Sequence, residues 1–200
     1  MKPVNVYKHH LDSFYLTFQF SKHLEMKNSM LQMISDQSPE TLVVKDGYYG
    51  DNISKLDWSN ATDFSRPWVS YFKPYLDGLL NDVATVCGYI DCQVNEIWFQ
   101  QYQESDTHGW HTHGSNFTGV YYLDLPNDAP KTQIVNPFNQ EQILVPEITE
   151  GDILIFPSYV IHRAPKIKEN INKTIVSFNC NFDKINVPVL TNITRLAENY

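Results

Sequence analysis

Arginine and cysteine are scarce in this 200-residue chain. Its arginines are Arg66, Arg163 and Arg195, and the other twelve of its fifteen basic residues are lysines, against 23 acids, for a net charge of −8. That balance argues against a broad basic surface for duplex nucleic acid or anionic lipid, although a sum leaves room for a local groove. It also means that any anion site must rely mostly on lysine or neutral donors. Cys87, Cys92 and Cys180 are odd in number and form no CxxC pair, so neither a disulfide framework nor a cysteine zinc knot is expected. No stretch approaches about 18 consecutive apolar residues, and Met1 to His10 is polar with no apolar signal region. A soluble, cytoplasmic protein of a reducing compartment with no membrane partner is the expectation. The sequons at Asn60 and Asn116 then carry no weight, because glycosylation needs the secretory route. No internal repeat or low-complexity tract is present.

What the chain does have is enough apolar content for a core: 42% hydrophobic against 19% charged residues. Its length fits a single domain. Residues 1–92 read as a mixed strand and helix support region. Phe14 to Phe20 alternates as a strand, and Ser21 to Asp36 is helical in spacing and closed by Ser38-Pro39. Thr41 to Gly50 forms a strand and turn, and Asp51 to Arg66 reads as a polar loop. Pro67 suits a first helical turn, and Val69, Phe72, Leu76, Leu79, Leu80 and Val83 continue one face to Cys87. Residues 93–182 change character, with eight short β-rich runs separated by Asn, Asp, Pro and Gly. The fold class is mostly β with N-terminal helices (α+β), a sandwich or barrel with the helices on one outer face. Residues 183–200 are a tail, and Thr191 to Tyr200 reads as a short helix or a frayed end. The arm or the tail offers a surface for an oligomer, whose state stays open.

The histidines are unevenly placed. His9, His10 and His23 lie in the N-terminal region, His108, His111 and His113 crowd together, and His162 stands far downstream. Residues i and i+2 of a strand share a face. His111 and His113 can therefore aim two imidazoles at one point while Thr112 faces away. A third ligand from a distant strand would complete one face of a metal and leave its other positions open, as oxygen-activating iron requires. An isolated HxH has a plainer reading, a surface strand with His162 as a hydrogen-bonded core residue.

Four blocks surround these histidines: Trp110 to Ser115 (WHTHGS), Thr118 to Leu123 (TGVYYL), Glu150 to Ser158 (EGDILIFPS) leading to His162, and Lys173 to Asn179 (KTIVSFN). In order and spacing they resemble the 2-oxoglutarate/Fe(II)-dependent oxygenases, nearest to a group from bacteria and phages related to prolyl hydroxylases. The resemblance covers about residues 93–182. It implies a double-stranded β-helix, the cupin-like jelly roll, with Fe(II) in one mouth, 2-oxoglutarate as co-substrate and O2 as oxidant. It further implies decarboxylation of 2-oxoglutarate to succinate coupled to hydroxylation of a substrate. A host-cytoplasm location follows if the chain is viral. His111 and His162 match the first and distal ligands. His113 stands where most of the superfamily has a carboxylate, as is usual in the nearest group. The ligand set is thus three histidines, or two with a nearby acid, for which Glu104 and Asp106 are the local candidates. Both acids read first as a solvated loop.

The family's cation for the far carboxylate of 2-oxoglutarate falls on Lys173, eleven residues after His162. Lysine acts there as a point charge, without the fork of a guanidinium. Strand alternation turns Arg163 outward from an inward His162. Tyr122 matches the second tyrosine of the family's Tyr-Tyr-Leu strand, which helps hold the same carboxylate, and Tyr102 falls where prolyl hydroxylases carry an active-site tyrosine. Two rival readings stay open. One is a three-histidine iron dioxygenase that binds its substrate without 2-oxoglutarate. The other is a non-catalytic jelly-roll module with a structural metal such as zinc. The sequence names no substrate; an amino-acid side chain or small metabolite is preferred to duplex DNA.

Overall fold

A computed structural model describes residues 13–44, 50–168 and 170–188. His9, His10 and the expected helix or frayed end at Thr191 to Tyr200 lie outside the described residues.

Helix α1 (His23–Ser35) buries His23, Met26, Met30 and Ile34, one residue per turn along a single stripe. Helix α2 (Pro67–Val86) begins with Pro67, whose missing N–H costs nothing at a helix start. Its buried stripe is Trp68, Val69, Phe72, Leu76, Leu80 and Ala84. Pro74 removes one internal hydrogen bond, and the apolar stripe on both sides carries the helix across it. The two helices pack together and against the large sheet.

Eleven strands are present among the described residues: β1 (Leu16–Gln19), β2 (Glu40–Val44), β3 (Asp51–Leu56), β4 (Gln93–Tyr102), β5 (His108–His111), β6 (Phe117–Asp124), β7 (Gln133–Val135), β8 (Ile143–Leu144), β9 (Asp152–Pro157), β10 (His162–Ala164) and β11 (Lys173–Asn181). They form a seven-stranded sheet in the order β1-β9-β6-β11-β4-β3-β2 and a four-stranded sheet in the order β5-β10-β7-β8. Neighbours pair antiparallel throughout. This is the jelly roll, with the helices covering the outer face of its larger sheet.

Alternation along the central strands divides the interior in two. Val176, Phe178, Ile97, Phe99, Tyr121, Leu123, Ile153 and Ile155 face the helices. Ile175, Tyr102, Val120, Tyr122, Leu154 and Phe156 face the smaller sheet. Gly119 is required on the helix side: a Cβ there would lie 2.1 Å from Cζ of the Phe178 ring. Gly151 opens β9 with φ +89°, a conformation that favours glycine, and a Cβ would press on the His23 ring.

One expectation is corrected. Part of the stretch read as a polar loop, Asp51 to Leu56, is strand β3, paired with both β2 and β4. Only Ile53 and Leu56 in it are buried, at 0% and 2% exposure, so the apolar signal is two residues long. Beyond it, Asp57 is buried and receives hydrogen bonds from Arg66, Trp68 Nε1 and the Phe99 amide, tying the start of α2 to β4.

Candidate active site

Strands β5 and β10 are antiparallel partners, with His111 directly opposite His162. Strand β5 ends at His111, so His113 reaches the cluster from the segment beyond it, where its amide donates to the Ser158 carbonyl at 3.0 Å. The three side chains still converge. Ring centroids are 4.2 Å apart for His111 and His162, 5.0 Å for His111 and His113, and 5.1 Å for His113 and His162. One ligating nitrogen from each ring lies within 4.8 Å of the others.

The outer nitrogens set the inner ones. His111 Nδ1 lies 2.7 Å from the Gly109 carbonyl and His162 Nδ1 lies 3.0 Å from the Val160 carbonyl. A carbonyl oxygen can only accept a hydrogen bond, so each Nδ1 carries the hydrogen and each Nε2 keeps its lone pair. The Nε2 atoms of His113 and His162 stand 3.2 Å apart. Two lone pairs at that range need a proton or a cation between them. Burial pushes the pKa values of all three imidazoles below the usual histidine value, that of His113 to about 4, with the neighbouring His111 adding to the effect on His113 and His162. Neutral imidazoles with their far nitrogens tied to backbone carbonyls are the donor form that binds a divalent metal. On this donor set the residues fit iron.

The acids proposed as alternative ligands are elsewhere. Glu104 is exposed. Asp106 is not in a solvated loop: it is 2% exposed, with Oδ1 accepting from Asn52 Nδ2 and Oδ2 from the Ser54 and Gln103 amides. Those bonds brace the turn at Ser105, which has φ +72°. Sequence reasoning did not foresee that a buried carboxylate would serve the backbone here.

A fourth histidine joins the cavity. His108 stacks on His111 with ring centroids 3.8 Å apart. Its Nδ1 is 3.4 Å from Gln100 Nε2, and Gln100 Oε1 accepts from Ser177 Oγ. Asp51 Oδ1, 3.8 Å from His108 Nε2, accepts the Gly109 amide. The crowding of His108 with His111 and His113 was the available signal, but simple alternation gave it no role. A register shift between His162 and Ala164 sets how this end of β5 meets β10.

The cavity is lined by the four histidines with Trp98, Gln100, Tyr102, Thr118, Val120, Thr132, Ile175 and Ser177 among others. Lys173 and Tyr122 are not in that lining, but each stands against a residue that is. Lys173 pairs with Tyr102 across β11 and β4, with Nζ 4.8 Å from the Tyr102 ring centroid and donating to the Pro130 carbonyl at 2.9 Å. It is 1% exposed, and burial pushes its pKa down to about 8. The Tyr122 hydroxyl donates to Thr132 Oγ1 at 2.6 Å. The Tyr102 hydroxyl is buried with no partner. Arg163, expected to turn outward from His162, is among the residues that line the cavity; its guanidinium lies over the Trp110 ring at 4.4 Å and donates through Nε to Gln133 at 2.8 Å. Lys166 and Lys168 are exposed.

Residues 96–179 match the family described as "Putative 2OG-Fe(II) oxygenase". The jelly-roll core thus resembles the 2OG-Fe(II) oxygenases. Solved structures agree with that oxygenase fold. An oxidoreductase of the 2OG-Fe(II) oxygenase family from Burkholderia pseudomallei superposes with a TM-score of 0.67 at 9% identity, over 86% of each chain. A Pseudomonas putida prolyl-4-hydroxylase gives 0.58 at 13% identity, over 82% of this chain and 91% of its own. The viral collagen prolyl hydroxylase of Paramecium bursaria Chlorella virus 1, solved with 2-oxoglutarate, gives 0.55 at 13% identity, over 83% of this chain and 94% of its own. At these identities the likeness speaks for the oxygenase fold. No curated protein matches by sequence. Among the described residues, no helix is long and apolar enough to cross a membrane.

Proposed function

We propose that the protein is a 2-oxoglutarate- and Fe(II)-dependent dioxygenase that couples decarboxylation of 2-oxoglutarate to succinate with hydroxylation of a small molecule or protein side chain. The observation that carries this reading is the convergence of His111, His113 and His162 with the Nδ1 atoms of His111 and His162 tied to carbonyls. These three would hold Fe(II), which when bound supplies the oxidising chemistry with O2 and 2-oxoglutarate. The protein's own part is positioning. The carbonyls of Gly109 and Val160 fix two of the rings. Lys173 provides a buried positive charge for the far carboxylate of 2-oxoglutarate, and the Tyr102 hydroxyl, which has no protein partner, can donate to it. Tyr122 acts through Thr132, whose hydroxyl lines the cavity.

A buried lysine beside an unpaired tyrosine hydroxyl favours this reading over a three-histidine dioxygenase without 2-oxoglutarate, which has no use for a dianion anchor. It also disfavours a structural-metal module, because three protein donors leave positions open. In this reading residues 1–200 are one domain, with 1–92 as support, 93–182 as the core and 183–200 as a tail. The test is anaerobic titration with Fe(II) and then 2-oxoglutarate, following the metal-to-ligand charge-transfer absorption. A band that saturates with 2-oxoglutarate in the wild type and is lost in His111→Ala is expected. Absence of the band in iron-loaded wild type refutes the assignment.

A further inference from the structure

The cavity-side face of β11 carries opposite chemistry at its two ends. Lys173, Ile175, Ser177 and Asn179 share that face. Register places Glu96 of β4 opposite Asn179, and Asn179 opposite Thr118 of β6, so the three form a row across the sheet at the end away from Lys173. The adjacent row is Trp98, Ser177 and Val120, all lining the histidine cavity, and the Trp98 ring lies 5.9 Å from that of His113.

The outer row presents a carboxylate and an unpaired amide oxygen. Asn179 is 5% exposed, and its Nδ2 donates to Glu96 Oε2 at 2.5 Å. That bond fixes the amide's orientation, because a flip would set its oxygen against a carboxylate. Asn179 Oδ1 is then a buried acceptor with no partner. Among the described residues no lysine, arginine or histidine pairs with Glu96 within the 4.0 Å of an ion pair. The Thr118 and Ser177 hydroxyls spend their protons on the Phe178 carbonyl and on Gln100.

We propose that the primary substrate presents a cationic nitrogen, ammonium or guanidinium, to Glu96 and Asn179 Oδ1 beside Trp98. This deepens the oxygenase reading of the histidine cavity and rests on it. A cation supplies both what Asn179 Oδ1 lacks, a donor, and what Glu96 lacks, a counter-charge. The indole of Trp98 offers a face for the same charge. An anionic substrate would meet the Glu96 carboxylate, and the chain's net −8 also favours a basic partner. The two ends of β11 then sort the two reactants by charge, with the dianionic co-substrate at Lys173 and the cationic substrate at Asn179.

The test is calorimetric binding to the metal-loaded protein, read without turnover. A blocked pentapeptide with a central lysine is compared with its norleucine counterpart, and n-butylammonium with n-butanol. A preference of about tenfold or more for the charged member of either pair is expected, equivalent to about 1.4 kcal/mol. A preference confined to the peptide pair assigns the cation to a protein side chain, and one shown as strongly by butylammonium assigns it to a small amine. Glu96→Gln keeps the side-chain shape and should abolish the preference. Equal binding within both pairs overturns the proposal, and so does a preference that survives in Glu96→Gln. The 2-oxoglutarate titration above is read separately, so loss of the oxygenase assignment and loss of the cation site are distinguishable.

Discussion

Replacing Lys173 with methionine should make the protein more stable and its co-substrate binding worse. The ammonium is 1% exposed, with a single backbone carbonyl and the Tyr102 ring for company. Burial lowers its pKa from an ordinary 10.5 to about 8, so holding it charged at neutral pH costs the metal-free protein about 3 kcal/mol. Methionine has similar length and no charge to desolvate. Leaving the Pro130 carbonyl without its donor returns about 1 kcal/mol of that, for a net gain of about 2 kcal/mol, or about 4–8 °C in Tm for a chain of this size. The gain has a pH signature. Between pH 8 and 10.5 the unfolded chain binds more protons at this residue than the folded one, so wild-type stability rises through that window relative to Lys173→Met and the gap closes. Affinity for 2-oxoglutarate should fall on the order of a hundredfold, from losing about 3 kcal/mol of a buried charge pair. In the wild type, that affinity should decline above pH 8 as the free lysine loses its proton. Scanning calorimetry of the metal-free proteins and the anaerobic titration provide both readouts. A variant that melts below wild type, or that binds 2-oxoglutarate within about threefold of it, refutes the reasoning.

Arg163→Ala should change 2-oxoglutarate affinity by less than about threefold, because its guanidinium is committed to Trp110 and Gln133; a loss matching that of Lys173→Met would reassign the anchor. His162→Ala should abolish stoichiometric iron binding in equilibrium dialysis, since it removes one of three donors, and full occupancy in the variant would exclude it as a ligand. Tyr102→Phe removes a hydroxyl that has no protein partner, so Tm should stay the same or rise by a degree or two while 2-oxoglutarate binds about three- to tenfold more weakly. Gly119→Ala drives a methyl into the Phe178 ring and should cost about 3 kcal/mol in denaturant unfolding; a cost below about 0.5 kcal/mol would mean that the ring moves aside freely.

Much of this was legible in the sequence because it depended on period and composition. The stripe of α2 and the β-rich blocks after residue 92 are patterns of 3.6 and 2, and they identify themselves. The grouping of His162 with His111 rested on the order and spacing of the surrounding blocks and not on period. What stayed hidden depended on register or on polar satisfaction. Strand β3 carries two buried apolar residues among polar ones, and its strand character comes from pairing on both sides. Asp106 reads as a solvated acid until three donors are found pointing at it. The alignment of Glu96, Asn179 and Thr118 is a property of three strands at once, with a bulge between Asn179 and Cys180 that no single segment announces. His113 shows the reverse case: the i, i+2 argument groups it with His111, and its side chain reaches that cluster from beyond the end of the strand.

Strand β11 separates two jobs along one stretch of chain. Thr174, Val176, Phe178 and Cys180 face the helix side, while Lys173, Ile175, Ser177 and Asn179 share the opposite face, with Ile175 and Ser177 lining the cavity. In the proposed reading, substitutions at odd-numbered positions would meet the reactants, and those at even-numbered positions meet the scaffold. A library restricted to Ile175, Ser177 and Asn179 can vary what the cavity accepts while the interface with α2 keeps its original packing. The same partition gives evolution a way to change the diet of the site one alternate residue at a time, without renegotiating the core behind it.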